Sequence, residues 1–402
     1  MTAATATAPE RRNVLILAAA QAMFQTTSVL ILTVSGLVGR QLAPRPEWAT
    51  LPIVAMIVTA AVTMMPASFL MDRRGRRFGF VAGAGAGALA GVLAVVALGM
   101  KSFGLFVVAN GLVGAYQGFA QYYRFAAIDT AKPLTRGRAV AWVVGGGGVA
   151  AFAGPTLAKV TLGWAATPFA ASYAVIALLG VLACATLSQL RLPPRVTVQE
   201  QARARPLTAI VSQGVYLTAL CVSTVGFGLM ILLMTATPIA MHLCGFGVAA
   251  AANVIQWHVL AMFLPSFGTG RLIRRFGVLP VIGAGIVCMT ASTVIAQTGL
   301  GLPQFVIGLV LLGLGWNFMY IGGTTLLAEA HQPVERAKAQ AFHDFVVFAV
   351  LSVASFAAAG FGSPDGWRDL NRFATFPIAL ALAMVASMGL RRWRIRRSVV
   401  AS

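Results

Sequence analysis

Four ionisable side chains lie inside long apolar runs: Arg124, His258, His343 and Asp344. In hydrocarbon such a group costs at least about 2.5–3.5 kcal/mol, so each must face a cavity, a partner or the membrane surface. Arg124 follows Gln117 and Gln121 by seven and three residues, which puts the three on one helical face, with Tyr122 and Tyr123 beside them. That stripe suits an acceptor-rich or anionic ligand. It equally suits an arginine that snorkels to the surface or pairs with Asp129. His343-Asp344 stands about one turn into its run. A carboxylate at that depth suits proton coupling, or it is simply a helix N-terminal residue near Arg336 and Lys338. His258, among Asn253, Gln256 and Trp257, is a second proton or substrate candidate, or a neutral histidine bonded between helices. Amides and aromatics complete the polar set: Gln21 and Gln25 at i, i+4, then Trp316, Asn317 and Tyr320. Such side chains bind organic molecules by stacking and hydrogen bonding, or bond neighbouring helices to one another.

Covalent and metal chemistry find no footing. No nucleophile–base–acid set occurs, and His242, His258, His331 and His343 lack ligand spacing. The runs Gly83 to Gly87 and Gly145 to Gly148 follow no strand and lead to no lysine-serine/threonine pair, so they are not phosphate loops. Gly83, Gly87 and Gly91 recur every four residues, a spacing that lets helices pack closely. The expectation is a protein that is not an enzyme and holds no cofactor.

The elements that position these residues are membrane spans. Of 402 residues 58% are apolar and 10% charged, and the mean hydropathy is +0.83. Soluble domains are about 45–50% apolar and about 25% charged. Twelve apolar segments can be drawn, at about 13–38, 49–71, 78–99, 103–128, 139–159, 168–189, 208–240, 248–270, 278–299, 303–328, 339–361 and 373–390. The net charge of +20 would suggest nucleic acid in a soluble protein, but the cations cluster between the runs. With the N-terminus inside, 23 Lys and Arg fall on the cytoplasmic side and 6 on the outer side, leaving Arg124 in a span. The positive-inside rule predicts that asymmetry, with both termini cytoplasmic. Cys184, Cys221, Cys244 and Cys288 lie in or beside apolar runs and read as packing residues.

The chain also repeats itself. Residues 68–79 match 266–277 at seven of twelve positions, and Asp129, Pro133, Arg136 and Arg138 correspond to Glu329, Pro333, Arg336 and Lys338. Two matched loops in one order predict two six-helix halves: 1–190, a cytoplasmic linker at 191–207, and 208–402. On these residues the sequence resembles the major facilitator superfamily. Leu70, Asp72, Arg73, Gly75, Arg76 and Arg77 fit its loop signature, with Ser68 in place of the leading glycine. Gly154-Pro155 is similar to the pair in its antiporter motif, while the arginine expected early in the fourth span is absent, with Gly114 near its place.

The resemblance implies an all-α membrane fold of two pseudo-symmetric bundles, with spans one, four, seven and ten lining a cavity. Gln21, Gln25, Gln117, Gln121, Arg124, Asn253, Trp316, Asn317 and Tyr320 would then hold substrate, and Asp344, His258 or His343 would couple protons. It further implies a conformational latch of Asp72, Arg73, Gly75, Arg76, Arg77, Asp129, Arg136, Arg274, Arg275 and Glu329. There Asp129 is a partner for Arg76 or Arg77, and Glu329 for Arg274 or Arg275; the alternative is that these arginines only set topology. The expected protein is a monomeric, proton-coupled secondary transporter of the bacterial inner membrane, a symporter or antiporter. It works by alternating access on a small organic molecule and leans slightly to export. The alternatives are a nutrient or vitamin importer, for which a planar heterocycle such as riboflavin fits the lining, and a non-transporting membrane sensor. The expected partners are substrate, protons and the lipid bilayer, not nucleic acid.

Overall fold

In hydrocarbon every backbone N–H and C=O must be bonded within the chain, so apolar runs of this length form helices. A computed structural model describes residues 8–131, 139, 142–143, 145–192, 205–332, 335–361 and 364–401, and every regular element in them is helical. The first group comprises α1 (Ala8–Leu42), α2 (Leu51–Arg74), α3 (Arg76–Gly99), α4 (Phe103–Ala120), α5 (Tyr123–Thr130), α6 (Ala150–Val160) and α7 (Ala170–Leu187). There follow α8 (Leu207–Val211), α9 (Gly214–Leu243), α10 (Val248–Phe263), α11 (Ser266–Phe276), α12 (Val278–Thr298), α13 (Leu302–Glu329), α14 (Arg336–Ala357) and α15 (Pro364–Ala401). Among the described residues ten helices are long and apolar enough to cross a membrane, and α10 with the bent continuation Gly268–Phe276 gives an eleventh. The run expected over 139–159 lies partly outside the described residues. Its described part ends in a short 3-10 turn, Gly147–Val149, and α6.

The chain divides into two units, Met1–Thr197 with Phe246–Gln256, and Val198–Gly245 with Trp257–Ser402. Glycines set helix spacing in the first. A Cβ on Gly83 or Gly87 would meet the rings of Phe119 and Tyr116, and one on Gly91 would lie 2.3 Å from the Ala177 backbone nitrogen of α7. The four-residue glycine spacing is therefore a packing face. In the second unit, the eighth predicted span is broken rather than continuous. Pro265 has no N–H to give Ala261, and the helix axis turns by 46°. Asn317 of α13 bridges the break: its amide nitrogen donates to the Met262 carbonyl at 2.7 Å and to Ser266 Oγ at 2.6 Å. Its amide oxygen accepts from Thr269 Oγ1 at 2.7 Å.

Arg191 and Arg205, at the two ends of the stretch expected as a linker, are both bonded into helical parts of the fold. Asn13, buried near the start of α1, donates to the Arg191 carbonyl at 2.8 Å and accepts from the Arg191 amide at 3.2 Å. At the far end the Arg205 guanidinium grips Glu335, its Nε and Nη2 each 2.7 Å from a carboxylate oxygen, while the Arg205 and Gln332 amides donate at 3.0 Å. The Glu335 side chain is fully enclosed. Hydrogen bonds from Arg205, then from the Gln332 amide, hold its carboxyl at about 2, below the ordinary 4.5. A carboxylate with a depressed folded-state pKa stabilises the fold above its unfolded value, and that stability is lost as pH falls towards 2. Glu335→Gln is therefore expected to lower the thermal midpoint by the same amount at every pH from 5 to 8. The gap between variant and wild type should narrow as acid approaches pH 2. A gap that varies across the neutral range would exclude this account.

Candidate functional site

Trp316 and Tyr320 are four residues apart on α13 and so share one helical face. Their rings stack with centroids 4.9 Å apart and planes within 14°. Phe227 of α9 stands edge-on to both, 5.1 Å from Trp316 and 5.0 Å from Tyr320. Phe263, at the end of α10, closes on Trp316 at 6.0 Å. Trp316 is buried and Tyr320 half-buried, so the tyrosine is the more accessible member of the stack. Trp316 Nε1 is buried without a hydrogen-bond partner. Four rings from three helices form an aromatic wall with the Trp316 N–H beside it, an arrangement whose chemistry suits stacking on a flat organic ring. Phe227 and Phe263 carried no sequence signal, because phenylalanine in an apolar run is indistinguishable from core.

The first unit holds the amide residues. Gln21 and Gln25 are half-buried on α1 and flank Gly147, where an added Cβ would lie 3.1 Å from Gln25 Cγ and 3.9 Å from Gln21 Nε2. Gln117 of α4 is half-buried and its Oε1 has no partner. The expected single stripe with Gln121 and Arg124 is interrupted. The chain turns at Gln121 and Tyr122, and the Tyr122 hydroxyl donates to the Met64 carbonyl of α2 at 2.9 Å. Arg124 thus belongs to α5, half-buried, its guanidinium 5.0 Å over the Phe125 ring and its Nε without a partner.

Three polar residues expected in substrate or proton roles have hydrogen-bond partners within the fold. Asn317 is fully buried and consumed at the break between α10 and α11. His258 is fully buried, its Nδ1 2.7 Å from the Leu309 carbonyl, and its Nε2 meets no partner. Among the described residues no carboxylate is bonded to it, and a cation there would lack compensation, which favours the helix-bridging reading. Asn253 is exposed and accepts from Lys159 Nζ at 2.7 Å. By contrast, the His343 Nδ1 lies 3.0 Å from Asp344 Oδ1, with His343 buried and the carboxylate 38% exposed. That pair is open at one end and enclosed at the other.

The charged loops are asymmetric. Arg76 pairs with Asp129, while Asp72, Arg73 and Arg77 are exposed and Arg136 lies outside the described residues. Glu329 is bonded by Arg392 of α15 at 2.6 Å, not by Arg274 or Arg275. The reason lies in the backbone. The positive-φ glycine that ends one helix and starts the next is Gly75 in the first half and Gly277 in the second, at φ 86° and 91°. Against the sequence repeat that break has moved one turn onward. Arg76 therefore opens α3, whereas Arg274 and Arg275 close α11, where their charge complements the helix C-terminus.

A family model described as Major Facilitator Superfamily matches residues 14–265. The riboflavin transporter RfnT of Brucella anthropi is 40% identical over 389 residues, covering 96% of both chains. An uncharacterized MFS-type transporter of Bacillus subtilis, YdeG, is 30% identical over 336 residues, 78% of this chain and 77% of its own. Among solved structures, the POT family transporter PepTSo superposes with a TM-score of 0.74 at 12% identity, covering 96% of this chain and 98% of its own. A D-xylose-proton symporter gives 0.72 at 16%, covering 93% and 97%. At those identities the structures speak for the fold alone.

Proposed function

The chain belongs to the Major Facilitator Superfamily and is a secondary transporter of a small molecule, and from that premise we propose that its substrate is riboflavin. The observation that carries this reading is the stacked Trp316–Tyr320 pair braced by Phe227. Riboflavin presents a flat tricyclic ring, and a flat π-system gains most from an aromatic face already held rigid. The similarity to RfnT over nearly the whole chain supports the same substrate.

The halves 1–190 and 208–402, joined by 191–207, alternate access in the bacterial inner membrane with both termini in the cytoplasm, as the charge asymmetry favours. Arg76 and Asp129, with Asp72, Arg73 and Arg77 around them, act as the conformational latch. Asp344 takes up the coupling proton, and His343, bonded to it, positions the carboxylate. A carrier has no direction of its own, because flux follows its gradients. Coupled by symport to a proton gradient directed inward, riboflavin would move inward rather than to export.

Proteoliposomes given an inside-alkaline gradient are expected to accumulate riboflavin, and Asp344→Asn to abolish accumulation while sparing riboflavin exchange. Absence of exchange by the wild type would sink the substrate assignment. Undiminished accumulation by Asp344→Asn would sink only the proton role.

A further inference from the structure

The last helix is longer than its membrane task. α15 has 38 residues, about 57 Å at 1.5 Å each, whereas a bilayer core needs about 30 Å. Its apolar stretch ends at Leu390, and the next seven residues are Arg391, Arg392, Trp393, Arg394, Ile395, Arg396 and Arg397. The helix continues through all of them. Among the described residues, the carboxylate bonded to this segment is Glu329, held by Arg392 at 2.6 Å. Arg391 and Arg394 are exposed, and the Arg397 guanidinium lies 4.0 Å over the ring of Trp393, itself 50% exposed. Five cations, one anion and an interfacial tryptophan thus begin one residue beyond the apolar run.

We propose that this end of α15 is a docking surface for the headgroups of anionic phospholipids, with Arg392 exchanging between Glu329 and a lipid phosphate. Topology alone needs only cations near the end of a span, and a loose tail would meet it. Here the cations are carried on a continuous helix directly beyond its apolar run. Arg391, Arg394 and Arg397 recur every three residues along one side. A guanidinium offers phosphate the same paired N–H geometry that it offers Glu329, so the two compete for one side chain. Trp393 seats the helix at the interface, as amphipathic rings do.

The test uses the full-length protein in nanodiscs of phosphatidylcholine with and without phosphatidylglycerol. Phosphatidylglycerol is expected to raise the thermal midpoint, and high salt to reduce that rise. Arg391→Gln/Arg394→Gln/Arg397→Gln should lose the rise. Arg368→Gln/Arg372→Gln, at the other end of the same helix, should keep it. Glu329→Gln, which frees Arg392, should enlarge it. A triple variant that keeps the full rise overturns the surface, as does an equal rise from inorganic phosphate in phosphatidylcholine alone. A Glu329→Gln response equal to wild type overturns the exchange, even where the triple variant does not fold.

Discussion

Gly114→Val is expected to prevent the first unit from assembling. A Cβ at this position of α4 would sit 2.0 Å from the Met56 carbonyl oxygen, 2.8 Å from its carbon and 3.0 Å from the Ala60 nitrogen. All three are backbone atoms of α2, so no rotamer change relieves the overlap, and the helices must part along their contact. Overpacking of a core usually costs roughly 1–3 kcal/mol, and a collision with rigid backbone belongs at or above that range. The measurement is the yield of monodisperse protein in detergent and its thermal midpoint. Gly104→Ala, where the new carbon meets nothing within 4 Å, serves as the control on the same helix. It should match or exceed wild type, since alanine favours a helix over glycine by up to about 1 kcal/mol. A Gly114→Val protein that melts like wild type would show that α2 and α4 do not approach so closely. The same geometry explains a departure from the family pattern. An arginine at this position would have to displace the backbone of α2, and the cation in this part of the chain is instead Arg124 on α5.

What the sequence made legible, and what it hid, follows from the range of the forces involved. Apolar runs and the cost of unbonded backbone in lipid act locally, and they dictated the helical class; the resemblance to the superfamily rested instead on the internal repeat and on the loop signature from Leu70 to Arg77. The glycine spacing at Gly83, Gly87 and Gly91 was readable because close packing leaves a periodic trace. Trp316 and Tyr320 were visible as large polar-tipped rings on one face, and Arg76 with Asp129 through a loop signature. The hidden features depend on contacts distant in sequence. Nothing near Glu335 announces Arg205, 130 residues away. Asn317 looked like a free amide because the helix break that consumes its hydrogen bonds lies around Pro265. The repeat misled at one point. Matching residues 68–79 to 266–277 carries Arg76 onto Arg274, but the helix break follows the positive-φ glycine; Gly75 is replaced by Ile273 in the repeat, and the break moves on to Gly277, the counterpart of Gly79.

Tyr320→Ala is the substitution that bears hardest on the riboflavin assignment. Tyr320 is the half-buried member of the stack, with Trp316 against its inner face at 4.9 Å and Phe227 edge-on at 5.0 Å. An incoming flat ring continues that stack on the outer face and finds the tyrosine already immobilised, so little rotamer freedom is lost on binding. Stacking of a heterocyclic base on an aromatic side chain contributes about 1–3 kcal/mol by alanine substitution, which is a loss of about 5- to 150-fold in affinity. Quenching of riboflavin's own fluorescence by purified protein reads that affinity directly. Tyr320→Phe keeps the ring and should bind within a few-fold of wild type. Trp316→Phe should fall between the two, because a smaller ring behind Tyr320 lets it tilt. Thermal midpoints measured alongside separate lost stacking from lost folding, since Trp316 is core and Tyr320 is half-exposed to the site. If Tyr320→Ala folds and binds riboflavin as tightly as wild type, the aromatic wall is packing and the substrate is held elsewhere.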